Sequence, residues 1–458
     1  MQLNSKVIAA IALAICGIAV GACSKQDAET TAQDTQAGQA QGTSPAQMMA
    51  GGGEQLPAAG KIDPNATMPS NHPPIPQALV QQESSQQAVP APAVAPAGAP
   101  PQEQAQREGK LQHVDPQAKF THFRVGNRNV KSILLDQGVV WIGTSGGVVR
   151  YVPQKDEYKI FDNKSGLISN GVFYVGKLDN KITLGTYGGG MAQLEDYAAG
   201  KWKIYNIPEG LADAFVYGVL RVANDDIWIA TWSGANRIRG GNLDDPSKWD
   251  TFTVENTNNG LPNDWVYGLA EGKNGEVWLA TEGGLARFKD GKWQNWNHEK
   301  GLGAPYEKVK KDLAFKTDPA QFSSHHAKQK QEMGLQGVTG AYNPNYIISM
   351  VVDKDGVVWC GTWGGGLSRF DGSKWKTYTK SDGLPGNQVF MLHIDLKGKL
   401  WVGTDDGLAE FKNGKFISYN QEDGLFSNAI FSMASDPDGS YWVGSFGGVT
   451  HLRLDKKK

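Results

Sequence analysis

A short phrase returns seven times between Phe120 and the C-terminus, and this repetition limits the fold more than any other feature of the chain. It reads VVWIGTSGG around Trp141, KITLGTYGG around Leu184, DIWIATWSG around Trp228 and EVWLATEGG around Trp278. It comes back as VVWCGTWGG around Trp359, KLWVGTDDG around Trp401 and SYWVGSFGG around Trp442. The tryptophan position, filled once by Thr183, recurs at intervals of 42, 45, 50, 81, 42 and 41 residues. A period of about 40–45 residues is that of a four-stranded propeller blade. One copy is too small to bury its own apolar faces, whereas copies stacked radially share a continuous core.

Within each copy, apolar runs alternate with turn residues. A first run (Val389–Ile394, for example) leads into Asp-x-x-Gly, then the W-[IVL]-G-T run, then Gly-Gly or Asp-Gly. A short run such as LSRF or LAEF follows, and Lys-aromatic-x-x-aromatic closes the copy. Gly and Asp at these positions supply the positive φ of tight hairpins, so the runs are successive antiparallel strands. A helical alternative fails on the abundance of Gly and β-branched residues. The closing beat begins at Tyr158, Trp202, Trp249, Trp293, Trp375 and Phe416, and its seventh copy is missing after Leu452. It stands instead at the front, as Lys119-Phe120-x-x-Phe123. The expected fold is therefore all-β: a seven-bladed propeller over residues 116–458, closed by an N-terminal strand that completes the last blade and hides the sheet edges.

The pattern N-x-V-[FY]…D-x-x-G-x-[LV]-W-[IV]-G-T-x-x-G-[LV] resembles the two-component regulator propeller repeat, over about 340 residues. The resemblance implies a ligand-sensing module of the kind that serves bacterial hybrid histidine kinases in the periplasm.

The front of the chain reads as an address and a tether. In residues 1–22, Lys6 supplies positive charge and Val7–Val20 an apolar stretch, too short to span a bilayer, which needs about 20 residues. Val20-Gly21-Ala22-Cys23 resembles a lipobox, so Cys23 is the expected lipid-bearing residue and the membrane an expected partner. Ser24 behind it resembles the sorting pattern of outer-membrane lipoproteins. Residues 23–115 are rich in Gln, Ala and Pro, with almost no aromatics, and read as a disordered linker. Its root-mean-square reach is about 50 Å. Cys16 departs with the signal, and Cys360 in a W-C-G-T strand reads as a buried inert thiol. A formal net charge of −2 gives no basic field for nucleic acid.

Candidate ligand contacts come from what varies against this constant scaffold. The residue after G-T runs Ser145, Tyr187, Trp232, Glu282, Trp363, Asp405 and Phe446. Hairpins between second and third strands converge at one mouth of a propeller. Four aromatics and two carboxylates there suit a glycan or other small amphipathic molecule; packing on neighbouring hairpins is the bland alternative. The inter-blade links supply Arg128, Asn170, Ala214, Asp264, Asn345, Asn387 and Asn428. Their amides are expected to bond local backbone, and the adjacent Trp265 and Tyr346 are the better ligand candidates.

The 81-residue interval holds an insertion over about residues 303–341, expected to be helical or disordered, with two short helices forming a partial cap over the same mouth. His325 and His326 lie in it with no ligand set of convincing spacing, and no metal, cofactor or catalytic residue is expected. His298 and His393 read as packing residues. Two other functions stay open: an interaction scaffold for an envelope protein partner, and a polysaccharide- or streptogramin-lyase-like enzyme drawing on Glu282, Asp405, Asp406 and the histidine pair.

Overall fold

The computed structural model describes residues 108–110, 118–313, 331, 335, 337, 338 and 340–455. The signal segment, Cys23, His325 and His326 lie outside the described residues. Among those described, no helix is long and apolar enough to cross a membrane.

Five separate four-stranded antiparallel sheets form blades 2 to 6. Blade 4 is representative, running Val266–Glu271, Val277–Thr281, Gly284–Lys289 and Lys292–Trp296 from axis to rim. Blades 1 and 7 are fused through one 17-residue strand, Phe120–Asp136. Its first part pairs with the last strand of the chain, Phe120 opposite Leu452 and Phe123 opposite Val449. Its second part, from Val130, is the inner strand of blade 1, paired with Val139–Thr144. The closure read from the displaced beat is thus present. One extra strand lies inside the segment assigned to the linker: Glu108–Lys110 pairs along Glu157–Lys159, using the free backbone edge of blade 1.

The constancy of G-T has a local cause. In every copy the hydroxyl after the glycine or alanine donates to the carbonyl of the glycine at the far side of the hairpin. Thr144 bonds Gly147 at 2.9 Å, Thr231 bonds Gly234 at 2.8 Å, Thr281 bonds Gly284 at 2.8 Å and Ser445 bonds Gly448 at 3.0 Å. These hydroxyls are buried, so an unmade bond would carry a desolvation penalty of roughly 1–3 kcal/mol. Gly284 adopts φ 133°, and a Cβ there would collide with the carbonyl of Trp296 on the outer strand. Only glycine fits at that crossing.

Each inner strand also skips one residue in its pairing with the second strand. The bulges fall between Val130 and Ser132, Val172 and Tyr174, Val216 and Gly218, and Val266 and Gly268. They continue between Ile347 and Ser349, Val389 and Met391, and Ile430 and Ser432. The skipped residues are Lys131, Phe173, Tyr217, Tyr267, Ile348, Phe390 and Phe431. A bulge bends the strand and re-aims one side chain. Here the re-aimed side chains meet from blade to blade round the axis: Phe173 to Tyr217 at 4.9 Å, Tyr217 to Tyr267 at 5.0 Å and Phe390 to Phe431 at 5.3 Å between ring centroids.

The Asp-x-x-Gly turns add ties at the opposite end of the strands. Asp395 accepts from the Trp401 indole at 3.2 Å and from the Tyr441 hydroxyl of blade 7 at 2.8 Å.

Candidate functional site

In four copies the residue after G-T or A-T is anchored to the start of its own inner strand. Tyr187 N–H donates to Gly171, Trp232 to Phe215, Glu282 to Trp265 and Asp405 to Gln388, all between 2.8 and 3.2 Å. The variable ring and the inter-blade links therefore share one mouth. The polar link residues serve the backbone: Asn170 accepts from Asn163 N–H at 2.7 Å, Asp264 from Val254 at 2.7 Å, Asn387 from Lys380 at 3.0 Å and Asn428 from Gln421 at 2.8 Å.

The ring does not act as one surface. Blades 2 to 4 hold a continuous aromatic arc: Phe173 to Tyr187 at 5.4 Å, Tyr187 to Phe215 at 4.6 Å, Phe215 to Trp232 at 5.4 Å and Trp232 to Trp265 at 4.2 Å. Tyr187, Phe215 and Trp232 are half-buried and Trp265 nearly buried, so the arc presents faces as well as packing. Ser145 is exposed, and Phe446 is half-buried on blade 7.

Glu282, Trp363 and Tyr346 are instead fully buried and form the floor beneath the mouth. Tyr346 and Trp363 stack at 6.2 Å, and Tyr267 directs its hydroxyl to Glu282 at 3.4 Å. Burial, reinforced by neighbouring phenol and carboxyl groups, pushes the Tyr217 and Tyr267 hydroxyls well above the ordinary phenol value. Tyr346 lies on the inner strand of blade 5, while Glu282 and Trp363 stand at the ends of the second strands of blades 4 and 5.

Asp405 is half-exposed as a residue, but its carboxyl is enclosed and accepts from Gln388 N–H at 3.0 Å. Burial raises it to about 7, so it titrates near neutrality. Glu282 and Asp405 sit on blades 4 and 6 with separate partners. Among the described residues no group of His, Cys, Asp and Glu is arranged to hold a metal. Cys360 is buried and its thiol pushed upward. His298 and His393 are spoken for by Leu302 O at 2.6 Å and Ser435 Oγ at 2.5 Å.

The base of the insertion lies at this mouth. Tyr306–Val309 forms one helical turn, and Ala304, Val309, Leu313, Val338 and Tyr342 pack into their own small core. Ala304 N–H donates to Gly365 in the blade 5 hairpin, Gln388 donates to Ala341, and Lys308 pairs with Asp382 at 2.8 Å. The second helix expected in the insertion lies outside the described residues.

A different cleft of about 1200 Å³ opens between the outer strands of blades 3 and 4 and the link that joins them. Phe252, Trp293, Trp296, Asn256 and Asn295 help to line it. It was not anticipated, because outer-strand aromatics read simply as the closing beat of the repeat.

The family described as Two component regulator propeller matches residues 260–283, 341–364 and 424–447. Each match runs through the inner and second strands past A-T, G-T or G-S to the glycine after the variable residue, Gly283, Gly364 or Gly447. These segments are two-component regulator propeller repeats. The repeats' [FY] position after N-x-V is also the bulge position of the axis. The sequence signal for the axial ring was therefore the two places where that position departs from an aromatic, at Lys131 and Ile348.

Among solved structures, the chain is similar to the extracellular domain of BT3049 from B. thetaiotaomicron, described as a hybrid two component system. The identity is 20%, the TM-score 0.55, and the match covers 74% of this chain and 41% of that one. The extracellular domain of BT4673 from the same organism matches at 18% identity and TM-score 0.52, over 74% and 41%. The likeness supports the propeller fold, and this chain spans about two fifths of those chains' length. No curated protein matches the chain.

Proposed function

We propose that this propeller is a non-catalytic ligand-recognition module of the bacterial cell envelope, held at the outer membrane by a lipid on Cys23. Its ligand is a sugar-like or amphipathic organic molecule that stacks on Tyr187, Trp232 and Trp265 at the mouth. The observation that carries this reading is the aromatic arc from Phe173 to Trp265, in which Phe173, Tyr187, Phe215 and Trp232 are only half-buried. Aromatic faces of this kind bind the apolar face of a sugar or a flat organic ring. The repeats and the signal-like segment before Cys23 support an extracytoplasmic setting.

A thermal-shift screen of the full-length chain against glycans and envelope metabolites tests the site. A ligand at one hundred times its dissociation constant adds about 2.7 kcal/mol of apparent stability. Trp232→Ala should abolish the shift and Trp293→Ala should leave it. The reverse result would move the site to the cleft between blades 3 and 4, whose volume favours it as the second reading. Cys23→Ala should transfer the protein from the membrane fraction to the soluble fraction; retention in the membrane would defeat the anchor.

A further inference from the structure

Lys131 is the single charged residue in the axial ring of bulged positions. It is 8% exposed, and its ammonium lies 5.2 Å from the centre of the Phe431 ring. Among the described residues no ion pair or hydrogen bond is found for it, and its Nζ is not one of the fully enclosed polar atoms, so the ammonium keeps an edge towards solvent. The flanking inner strands contribute Phe431 and Ser432 on one side and Val172 and Phe173 on the other, none of them charged. A buried ammonium without a counter-charge is costly, and few neighbours in a packed scaffold leave it so.

Two further polar groups gather on the same segment. Asn129 is also 8% exposed, lies opposite Phe446 in the blade 7 hairpin, and keeps a buried side-chain oxygen with no partner. Arg128 is half-buried against the blade 1 hairpin, where a Cβ on Gly146 would fall on its guanidinium, and it too has no carboxylate partner among the described residues. The segment Arg128–Lys131 thus brings two cations and one amide to the corner between blades 7 and 1. Ser145, exposed, and Phe446, half-buried, keep that corner open to solvent.

We infer that this corner binds the anionic head of the ligand, a carboxylate or phosphate-monoester group, through Lys131 and Arg128, with Phe431 and Phe446 against its apolar body. This rests on the mouth being a ligand site and specifies the ligand as an organic anion. The anion supplies the counter-charge that the fold leaves out. An ammonium and a guanidinium around one head group give charge-assisted bonds about twice as strong as neutral ones. Because Lys131 is largely withdrawn from water, its bond to the anion is worth more than one on the open surface.

Isothermal titration of the full-length chain with benzoate, phenyl phosphate and the neutral benzamide tests the inference. At least one anion should bind ten-fold or more tightly than benzamide, and the stronger of the two identifies the head group. Lys131→Met should weaken that anion at least ten-fold, and Lys131→Arg should restore most of the loss. Affinity should also fall as pH rises through about 8, where burial lowers the Lys131 ammonium. Binding of benzamide equal to that of both anions, full anion affinity in Lys131→Met, or no binding by either anion would overturn it. If Trp232→Ala abolishes binding while Lys131→Met does not, the ligand site stands and the anion corner fails. The opposite pattern retains the corner and removes the aromatic arc.

Discussion

Trp232 and Trp265 meet with ring centroids 4.2 Å apart, joining the blade 3 hairpin to the start of the blade 4 inner strand. Trp363, at the equivalent hairpin position of blade 5, is fully buried. The same repeat position therefore gives a contact surface on one blade and core on another. Trp363→Ala should cost about 3–5 kcal/mol, as large-to-small core changes do. Trp232→Ala should cost less than half of that, measured by urea unfolding. Equal losses would place Trp232 in the core and weaken its assignment as a contact.

Closure depends on Phe123, which is nearly buried and packs 5.1 Å from Tyr151 of blade 1 and 5.3 Å from Trp442 of blade 7. Phe123→Ala should lower the unfolding free energy by about 3–5 kcal/mol. Phe120, partly buried at the rim of the same strand, should cost visibly less when truncated. An unchanged urea midpoint for Phe123→Ala would mean that the N-terminal strand does not complete blade 7.

Acid should destabilise the propeller through His451. This side chain stacks on Trp442 at 4.2 Å, bonds Ser440 at 2.8 Å, and is lowered by burial, then by Arg453, to about 4. The unfolded chain binds a proton near 6.5 that the folded chain refuses, so stability is lost as pH falls from about 6.5 towards 4. His451→Gln should flatten that limb by at most about 3 kcal/mol in urea unfolding across pH 4–7. A slope identical to wild type would contradict the buried neutral imidazole.

Lys131 has the opposite pH signature. Its ammonium is lowered by burial to about 8, so the folded chain gives up a proton that the unfolded chain keeps up to its usual value. Stability should rise as pH climbs from about 8 to about 10.5, and Lys131→Met should be more stable than wild type at pH 7 by roughly 1–3 kcal/mol. Destabilisation by Lys131→Met without ligand would show that the ammonium has a structural partner.

The architecture was legible because the repeat encodes it locally. The threonine hydroxyl, the hairpin glycine and the displaced Phe120–Phe123 beat each leave a mark in the sequence, and each has a bond or a clash behind it. The inter-blade asparagines were legible for the same reason, since Asn170, Asn387 and Asn428 bond backbone only seven residues away. The site was legible only in outline. Whether a ring position is wall or floor depends on the neighbouring blade: Trp363 is fully buried against Tyr346 and Phe390, while Trp232 packs on Phe215 and Trp265 and stays half-buried. Lys131 was missed because one substitution in an aromatic column reads as repeat drift until the bulges show that the column lines the axis.

The most direct test of a ligand site at the mouth is fluorine NMR of the full-length chain carrying 5-fluorotryptophan, with resonances assigned by single Trp→Phe changes. The probe is whichever compound gives the largest shift in the thermal screen. The account predicts that the Trp232 and Trp265 resonances move on titration while that of Trp293, in the cleft between blades 3 and 4, stays in place. Movement of Trp293 with Trp232 and Trp265 unchanged would contradict it.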